Sequence, residues 1–241
     1  MSVNIPSDGH FPMSPSRVPI AVDLPPYRLS GSVYGVLANH SSLLAMLGDA
    51  AYQPPYNAPP RAPVLYIKPR NTLAGPGDPV TVPADVPELE VAASLGIVIE
   101  RTACRLEEAT AIDCVAGFLI VNDVSVPHTT YHRPSIRYKA RDGFCPLGPA
   151  VVARQRIASP DAIEIRTYVN GLLVQLQNTR EMIRPIARLL ADVTEFMTLS
   201  AGDVLCLGTA APAPRVRPGQ TVSIEIDGIG TLRNPFVGGE S

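Results

Sequence analysis

The apolar positions of the chain fall into short runs separated by turn-forming residues, a pattern of strands more than of long helices. Runs at 33–37 and 64–67 suit buried strands, and 95–99 is a strand by its β-branched content. The apolar run 118–121 delivers Asn122 and Asp123 to a strand end. Segments 204–207, 222–226 and 231–237 make the C-terminal part strand-rich. Between the β-type runs 163–169 and 172–176 lies Asn170-Gly171, the residue pair that favours a two-residue type I′ hairpin.

Helical spacing is rarer. Asn39, His40, Ser41 and Ser42 are capping residues ahead of a short helix carrying Leu43, Leu44, Met46 and Leu47. Residues 105–116 place Leu106, Ala109, Ile112 and Val115 on one helical face, and 183–196 does the same with Ile186, Leu189, Leu190, Val193 and Phe196. Pro185 fits only the first turn of that last helix. Pro-rich 54–63 reads as a loop, and Thr72 to Pro79 as turn chemistry. Short strands, few helices and no alternating βαβ rhythm predict an α+β fold dominated by a curled, roll-like sheet.

Composition narrows the function classes. With 26 prolines and no tryptophan, long helices are disfavoured again. A net charge of −2 offers no global attraction to nucleic acid or to an anionic membrane, so neither is an expected partner. Cys104, Cys114, Cys145 and Cys206 form no CxxC pair and no zinc spacing, as expected of reduced thiols. No secretory signal pattern and no spanning-length apolar run is seen, so a cytoplasmic location is expected. Residues 1–30 read as a Pro-rich arm ahead of one domain at 31–241.

The chemistry concentrates in 117–149. Asp123 can face a cleft from its strand end, and if 137–143 is extended, Arg137, Lys139 and Arg141 line one side as a cationic strip. The alternative is an ordinary solvated edge strand with gatekeeping charges. His128-x-x-x-His132 has a chelating spacing on a helix, but Pro127 and Pro134 bracket it, and surface histidines are the simpler account. Cys145, between Phe144 and Pro146 with no adjacent base, reads as a packed thiol. Lys68 and Arg70 either bind a substrate carboxylate or decorate a loop mouth. Asn178 touches substrate or caps the following helix.

Segments IKPRNTLAGPGDPV, GFLIVNDVS, KARDGFCPLGP, QNTREMI and MTLSAGDVLCLGT occur in the order that resembles the fumarylacetoacetate hydrolase family, across residues 31 to 238. A narrower likeness, carried by YNAPPRAPVLYIKPRN, NDVSVP and RDGFCPLG, is to the N-terminal half or separate N-terminal subunit of isomerase/decarboxylases of 4-hydroxyphenylacetate degradation. The resemblance implies a β-roll around Mg²⁺ or Mn²⁺, held by two glutamates and an aspartate, with a lysine beside it and a His/Glu pair on a lid helix. Such a metal stabilises the enolate formed in decarboxylation or tautomerisation of 2-oxo acids.

Carried over by position, Asp123 matches the metal-binding aspartate, Lys139 the active-site lysine, Asp142 the loop that follows, and Thr209 the backbone near substrate. Lys68, Arg70, Arg141 and Asn178 are the further candidates for a substrate dianion. The two glutamate positions fall on Ala92 and Ser94, since a four-residue shift onto the nearby Glu88 and Glu90 would move the apolar strand out of register, and the lid pattern falls on Asn39, His40, Leu43 and Met46. One aspartate and a hydroxyl make a poor magnesium site, so the metal is expected to be weakly held or absent. Three readings follow: an isomerase/decarboxylase subunit for a 2-oxo dicarboxylate, a catalytically silent partner of a metal-competent paralogous subunit, or an acylpyruvate-type hydrolase. The first two imply a homo-oligomer or a hetero-oligomer.

Overall fold

A computed structural model describes residues 23–24, 27–129 and 133–239. Most of the arm expected at 1–30, and His132 of the histidine pair, lie outside the described residues. Along the chain the strands are β1 Asp23–Leu24, β2 Tyr27–Arg28, β3 Val33–Leu37, β4 Val64–Lys68, β5 Leu73–Ala74, β6 Val80–Val82, β7 Leu89–Glu90 and β8 Ala93–Ile99. They continue with β9 Val115–Asn122, β10 Cys145–Ala153, β11 Glu164–Val169, β12 Leu172–Asn178, β13 Val204–Cys206, β14 Arg215–Val216, β15 Thr221–Ile226 and β16 Gly230–Gly238. The α-helices are α1 Ser41–Leu47, α2 Ile136–Lys139 and α3 Ile186–Thr194.

A seven-stranded sheet runs β4-β3-β13-β8-β9-β10-β5, and a five-stranded sheet runs β12-β11-β15-β16-β6. This is the mixed, strand-rich α+β architecture that the apolar pattern predicts. At the centre of the large sheet, β8 and β9 are buried along their whole length, so neither face can carry polar alternation. One face contributes Leu95, Ile97, Phe118 and Ile120 to the main core, which includes Leu189, Leu190 and Val193 of α3 and Ile165 and Ile224 of the smaller sheet. The other face packs Val98, Leu119, Val121, Val204 and Cys206 into a second cluster. Gly96 is required there, because a Cβ would come within 2.6 Å of Leu119 and 2.8 Å of Val121.

The β11–β12 hairpin turns on Asn170 at φ 51° and Gly171 at φ 81°, the two positive angles a type I′ turn demands. Other expectations are corrected. Residues 64–67 form an edge strand, with Val64 and Ile67 each 39% exposed, because nothing in the described residues covers the far side of β4. Residues 105–116 do not form an α-helix: a 3-10 segment over Glu108–Cys114 leads directly into β9. The strict three-residue spacing of Leu106, Ala109, Ile112 and Val115 is the 3-10 period, and Ala109 is exposed. The C-terminal helix is shorter than 183–196, with Pro185 as its N-cap and Phe196 exposed beyond its end.

Residues 137–143 are likewise not extended. Pro134 and Ser135 open one helical turn, in which the Tyr138 and Lys139 N–H groups both donate to the Ser135 carbonyl. Two residues along a helix are about 200° apart around its axis, so Arg137 and Lys139 face different ways and no cationic strip forms. No helix among the described residues is long and apolar enough to cross a membrane.

Replacing Phe118 by Ala should cost roughly 3–5 kcal/mol, because the ring is fully enclosed between the sheets and its cavity cannot collapse. Leu172→Ala, at the exposed start of β12, should stay within about 0.5 kcal/mol. Urea unfolding of the two variants checks the contrast.

Candidate functional site

Where β9 ends, the Asp123 N–H donates to the Ala92 carbonyl at 2.9 Å, which fixes residue 92 as the cross-strand neighbour of Asp123. The Asp123 carboxylate is buried and cannot stay charged there without partners. Lys139 Nζ donates to Oδ2 at 2.6 Å, and Lys68 Nζ lies 2.8 Å from Oδ1. The Tyr66 hydroxyl also donates to Oδ2. Burial alone pushes the Asp123 carboxyl up, but the Lys139 and then the Lys68 ammonium outweigh it and hold it well below the usual carboxylate range.

The two lysines reach this carboxylate from different directions. Lys68 closes β4 with its side chain only 1% exposed, and its Nζ also donates to the carbonyls of Val124 at 2.6 Å, Phe144 at 2.8 Å and Lys139 at 2.9 Å. Three ammonium hydrogens thus serve four acceptors. The three carbonyls take the well-aligned bonds, and Oδ1 is held chiefly by charge. Burial lowers the Lys68 pKa, and Asp123 opposes that shift. Lys139 comes from α2 and sits 4.6 Å over the Tyr66 ring. Gly35, opposite Tyr66 across the β3–β4 pair, leaves space for that ring, since a Cβ there would come within 2.0 Å of it.

Asp123 and Lys139 open onto a cavity of about 290 Å³. Its wall includes Ala92, Tyr66 and Thr209, with Leu43 and Met46 from α1 facing them. At its rim, Glu90 is held by Arg215 at 3.1 Å and receives the Ser125 hydroxyl at 3.3 Å. His128 is also at the rim, stacked on Tyr138 with ring centroids 4.6 Å apart and Nδ1 2.9 Å from the Val126 carbonyl.

Of the residues singled out in the sequence, the structure brings Asp123, Lys139, Lys68 and Thr209 together, though Lys68 lies behind the carboxylate with its hydrogens occupied. Arg70 lies on the surface and donates to the Ser30 carbonyl at 3.1 Å. Arg141 donates to the Arg137 carbonyl at 3.2 Å, and Asp142 accepts from the Asn71 side chain at 2.8 Å; neither lines the cavity. Asn178 accepts from the Arg180 N–H at 3.0 Å, a capping bond. Cys145 is buried, and burial pushes its thiol up to about 12.

Tyr66 and Arg215 escaped the sequence reading, and Glu90, weighed there only as a shifted metal-ligand register, proves to be an ion-pair partner of Arg215. Tyr66 had a signal, since it lies two residues before Lys68 on one strand and shares its face. Glu90 and Arg215 meet only through the β7–β14 pairing, which no local pattern announces.

The model of the fumarylacetoacetate (FAA) hydrolase C-terminal domain matches residues 32–237. The chain belongs to the fumarylacetoacetate hydrolase family. It is 37% identical over 209 residues to the 4-hydroxyphenylacetate degradation bifunctional isomerase/decarboxylase of Escherichia coli, covering 87% of this chain and 48% of that protein. The chain therefore spans about half the length of that relative. A solved structure of a 5-carboxymethyl-2-hydroxymuconate delta-isomerase from Mycobacterium smegmatis superposes with a TM-score of 0.76 at 34% identity, over 88% of this chain and 81% of that one. A maleylpyruvate hydrolase from Sphingobium, in complex with manganese(II) and pyruvate, gives 0.72 at 26% identity, over 87% and 71%.

A fumarylacetoacetate hydrolase fold raises the question of a divalent metal, and the donor set here does not fit one. Magnesium and manganese need several free oxygen ligands. Both oxygens of Asp123 face lysine ammonium groups, and Ala92 presents a methyl group. The Ser94 hydroxyl is buried, 3.3 Å from the Leu95 carbonyl and 3.2 Å from the Gly208 N–H. Among the described residues no three His, Cys, Asp or Glu side chains form a metal-sized cluster. The lid positions are no better equipped, because Leu43 and Met46 transfer no proton. His40, at the α1 N-cap, is buried and turned toward Glu181, with Nδ1 accepting from the Ser42 N–H at 3.2 Å. Tyr66, its pKa raised first by burial and then by Asp123, is no acid near neutrality.

Because the folded Asp123 pKa is depressed, its contribution to stability is present above the ordinary carboxylate pKa of about 3.9 and is lost as pH falls below it toward the folded value. Asp123→Asn should remove that part of the acid dependence and cost roughly 3–5 kcal/mol at neutral pH, since two buried ammonium groups lose their counter-ion. Urea melts of both proteins across acid and neutral pH test this. A loss below about 1 kcal/mol would contradict a charged cluster.

Proposed function

We propose that this chain is a subunit of an isomerase/decarboxylase of 4-hydroxyphenylacetate catabolism. The substrates would be 5-carboxymethyl-2-oxo-hex-3-ene-1,7-dioate and 2-hydroxyhepta-2,4-diene-1,7-dioate. Within that assembly it is the catalytically silent member, paired in the cytoplasm with a paralogous subunit that holds the metal. One observation supports the silent role: both oxygens of Asp123, the one carboxylate at the cavity floor among the described residues, face the Lys139 and Lys68 ammonium groups. The subunit reading is supported by the likeness to half of the bifunctional enzyme of Escherichia coli and by the isomerase from Mycobacterium smegmatis. An acylpyruvate-type hydrolase needs the same metal and meets the same objection.

Both reactions pass through an enolate, which in this family a divalent cation stabilises. Lys139 alone offers one positive charge already shared with Asp123. The chain would therefore act by completing the fold and the subunit contacts of a working partner. The test is turnover of both substrates by the purified chain with Mg²⁺ or Mn²⁺, by the paralogous subunit, and by the two together. The expected result is no metal-dependent turnover by the chain alone and higher activity or stability of the partner in the mixture. Robust decarboxylation by the isolated chain would overturn the silent role.

A further inference from the structure

Strand β12 is an edge of the five-stranded sheet: among the described residues it pairs only with β11. Its seven residues carry no charge and no proline, the devices that usually guard an exposed edge. The register with β11 sorts its side chains between two faces. Gln175 and Gln177 stand opposite the buried Thr167 and Ile165, and their amides donate to the carbonyls of Pro212 at 2.9 Å and Ala93 at 2.8 Å. Leu176 and Leu173 stand opposite Arg166 and Tyr168 on the outer face, and a bulge inserts Val174 between them. Leu173, Val174 and Leu176 are 47%, 41% and 57% exposed, an apolar stripe on a face otherwise built from Glu164, Arg166, Tyr168, Ser223, Glu225 and Arg233.

The polar groups around the stripe are largely satisfied within the chain. Arg166 pairs with Glu164 and, at 2.8 Å, with Asp227; the Tyr168 hydroxyl is hydrogen-bonded to Glu225; and Arg180 Nε donates to Asn178 Oδ1 at 3.1 Å. Arg166, Arg180 and Arg233 balance Glu164, Glu225 and Asp227, so the rim has no net charge. An apolar centre inside a balanced rim offers nothing that would select a basic or an acidic partner, and it does not repel a copy of itself. The stripe exposes roughly 300 Å² of apolar surface, enough to nucleate a contact but below the ~800 Å² per partner of a standard interface, which sets a reversible association in the micromolar range.

We propose that the outer face of β12 is a self-association surface, on which Leu173, Val174 and Leu176 of one chain pack against the same three residues of a second copy across a two-fold axis. The bulge bends the strand, so side chains make the contact and the sheet does not continue from one copy into the other. Leu172 stands opposite Val169 at the turn, on the inner side of the strand, and lies outside the stripe. This contact is separate from the pairing with a paralogous subunit and does not depend on it.

The test is sedimentation velocity of the purified full chain alone, from about 1 to about 100 µM. The parent chain should pass from monomer to dimer within that range. Val174→Lys, at the middle of the stripe, should raise the dissociation constant at least about tenfold by setting like charges against one another, and Val174→Glu should do the same. An equal mixture of the two should recover the dimer, because each copy then meets its opposite charge. The exposure of Val174 predicts that both variants keep the parent's far-UV circular dichroism; Leu176→Lys is the substitute for a variant that does not fold. Leu172→Ala should dimerise within about twofold of the parent. A parent chain that stays monomeric throughout, including one that uses this face only to bind the paralogous subunit, overturns the proposal. So does undiminished association of Val174→Lys, or a mixture that fails to recover. The chain is studied by itself here, so none of these results decides whether it activates a partner.

Discussion

A single buried carboxylate, compensated by two ammonium groups, organises the middle of this protein. Asp123 follows a strand that is apolar on both faces, so water cannot supply the missing solvation. The neighbouring elements are arranged around that requirement. Strand β4 ends on Lys68 so that the ammonium can pass beneath the carboxylate and tie together the carbonyls of residues 124, 139 and 144. The chain after Pro134 makes one helical turn, which aims Lys139 inward while Arg137 stays outside. Gly35 gives up its side chain so that Tyr66 can lie against both. A cluster of this kind adds little net stability over an apolar core, because desolvation offsets the attraction, but it strongly penalises any arrangement that separates its members. Its main effect is to fix the register of β4, β9 and α2.

The same commitment sets the chemistry. A carboxylate whose oxygens are held by ammonium groups at 2.6 and 2.8 Å is a poor ligand for a dication, since the metal would have to displace a lysine from a buried site. Residue 92 could have shifted that balance with a second carboxylate beside Asp123; as alanine it does not. The cavity keeps a lysine and an aspartate at its floor, but the aspartate's oxygens are taken up by ammonium groups and are not free to hold a cation.

Much of this was legible in the sequence where a local pattern carried the signal. The runs of β8 and β9 have no polar alternation because both faces are buried, and Asn170-Gly171 specified its turn through two left-handed angles. Asp123, Lys139, Ala92 and Thr209 were found through motif wording, and the structure gathers them about one cavity. The failures have physical causes. Lys139 and Arg141 look alike in the sequence, but a helical turn separates them, and the same turn sends Asp142 outward. Lys68 looked like a ligand group because burial of a lysine cannot be read without knowing which carbonyls converge on it. Glu90 and Arg215 are joined by a strand pair whose members lie far apart in the chain.

Helix α1 forms the wall of the cavity opposite Asp123. Helix α1 is short and has no buried residue, yet it is tied down: the Ser42 hydroxyl accepts from the Ala211 N–H at 2.8 Å, and His40 bridges to Met182. Burial lowers the His40 pKa, with Glu181 opposing, and its Nδ1 serves as the helix cap by accepting from the Ser42 N–H. Leu43 and Met46 of this helix line the cavity and contribute no proton donor, although Met46 remains 49% exposed. The wall opposite Asp123 is therefore tied down by hydrogen bonds yet apolar where it lines the cavity, so it supplies shape without acid/base chemistry.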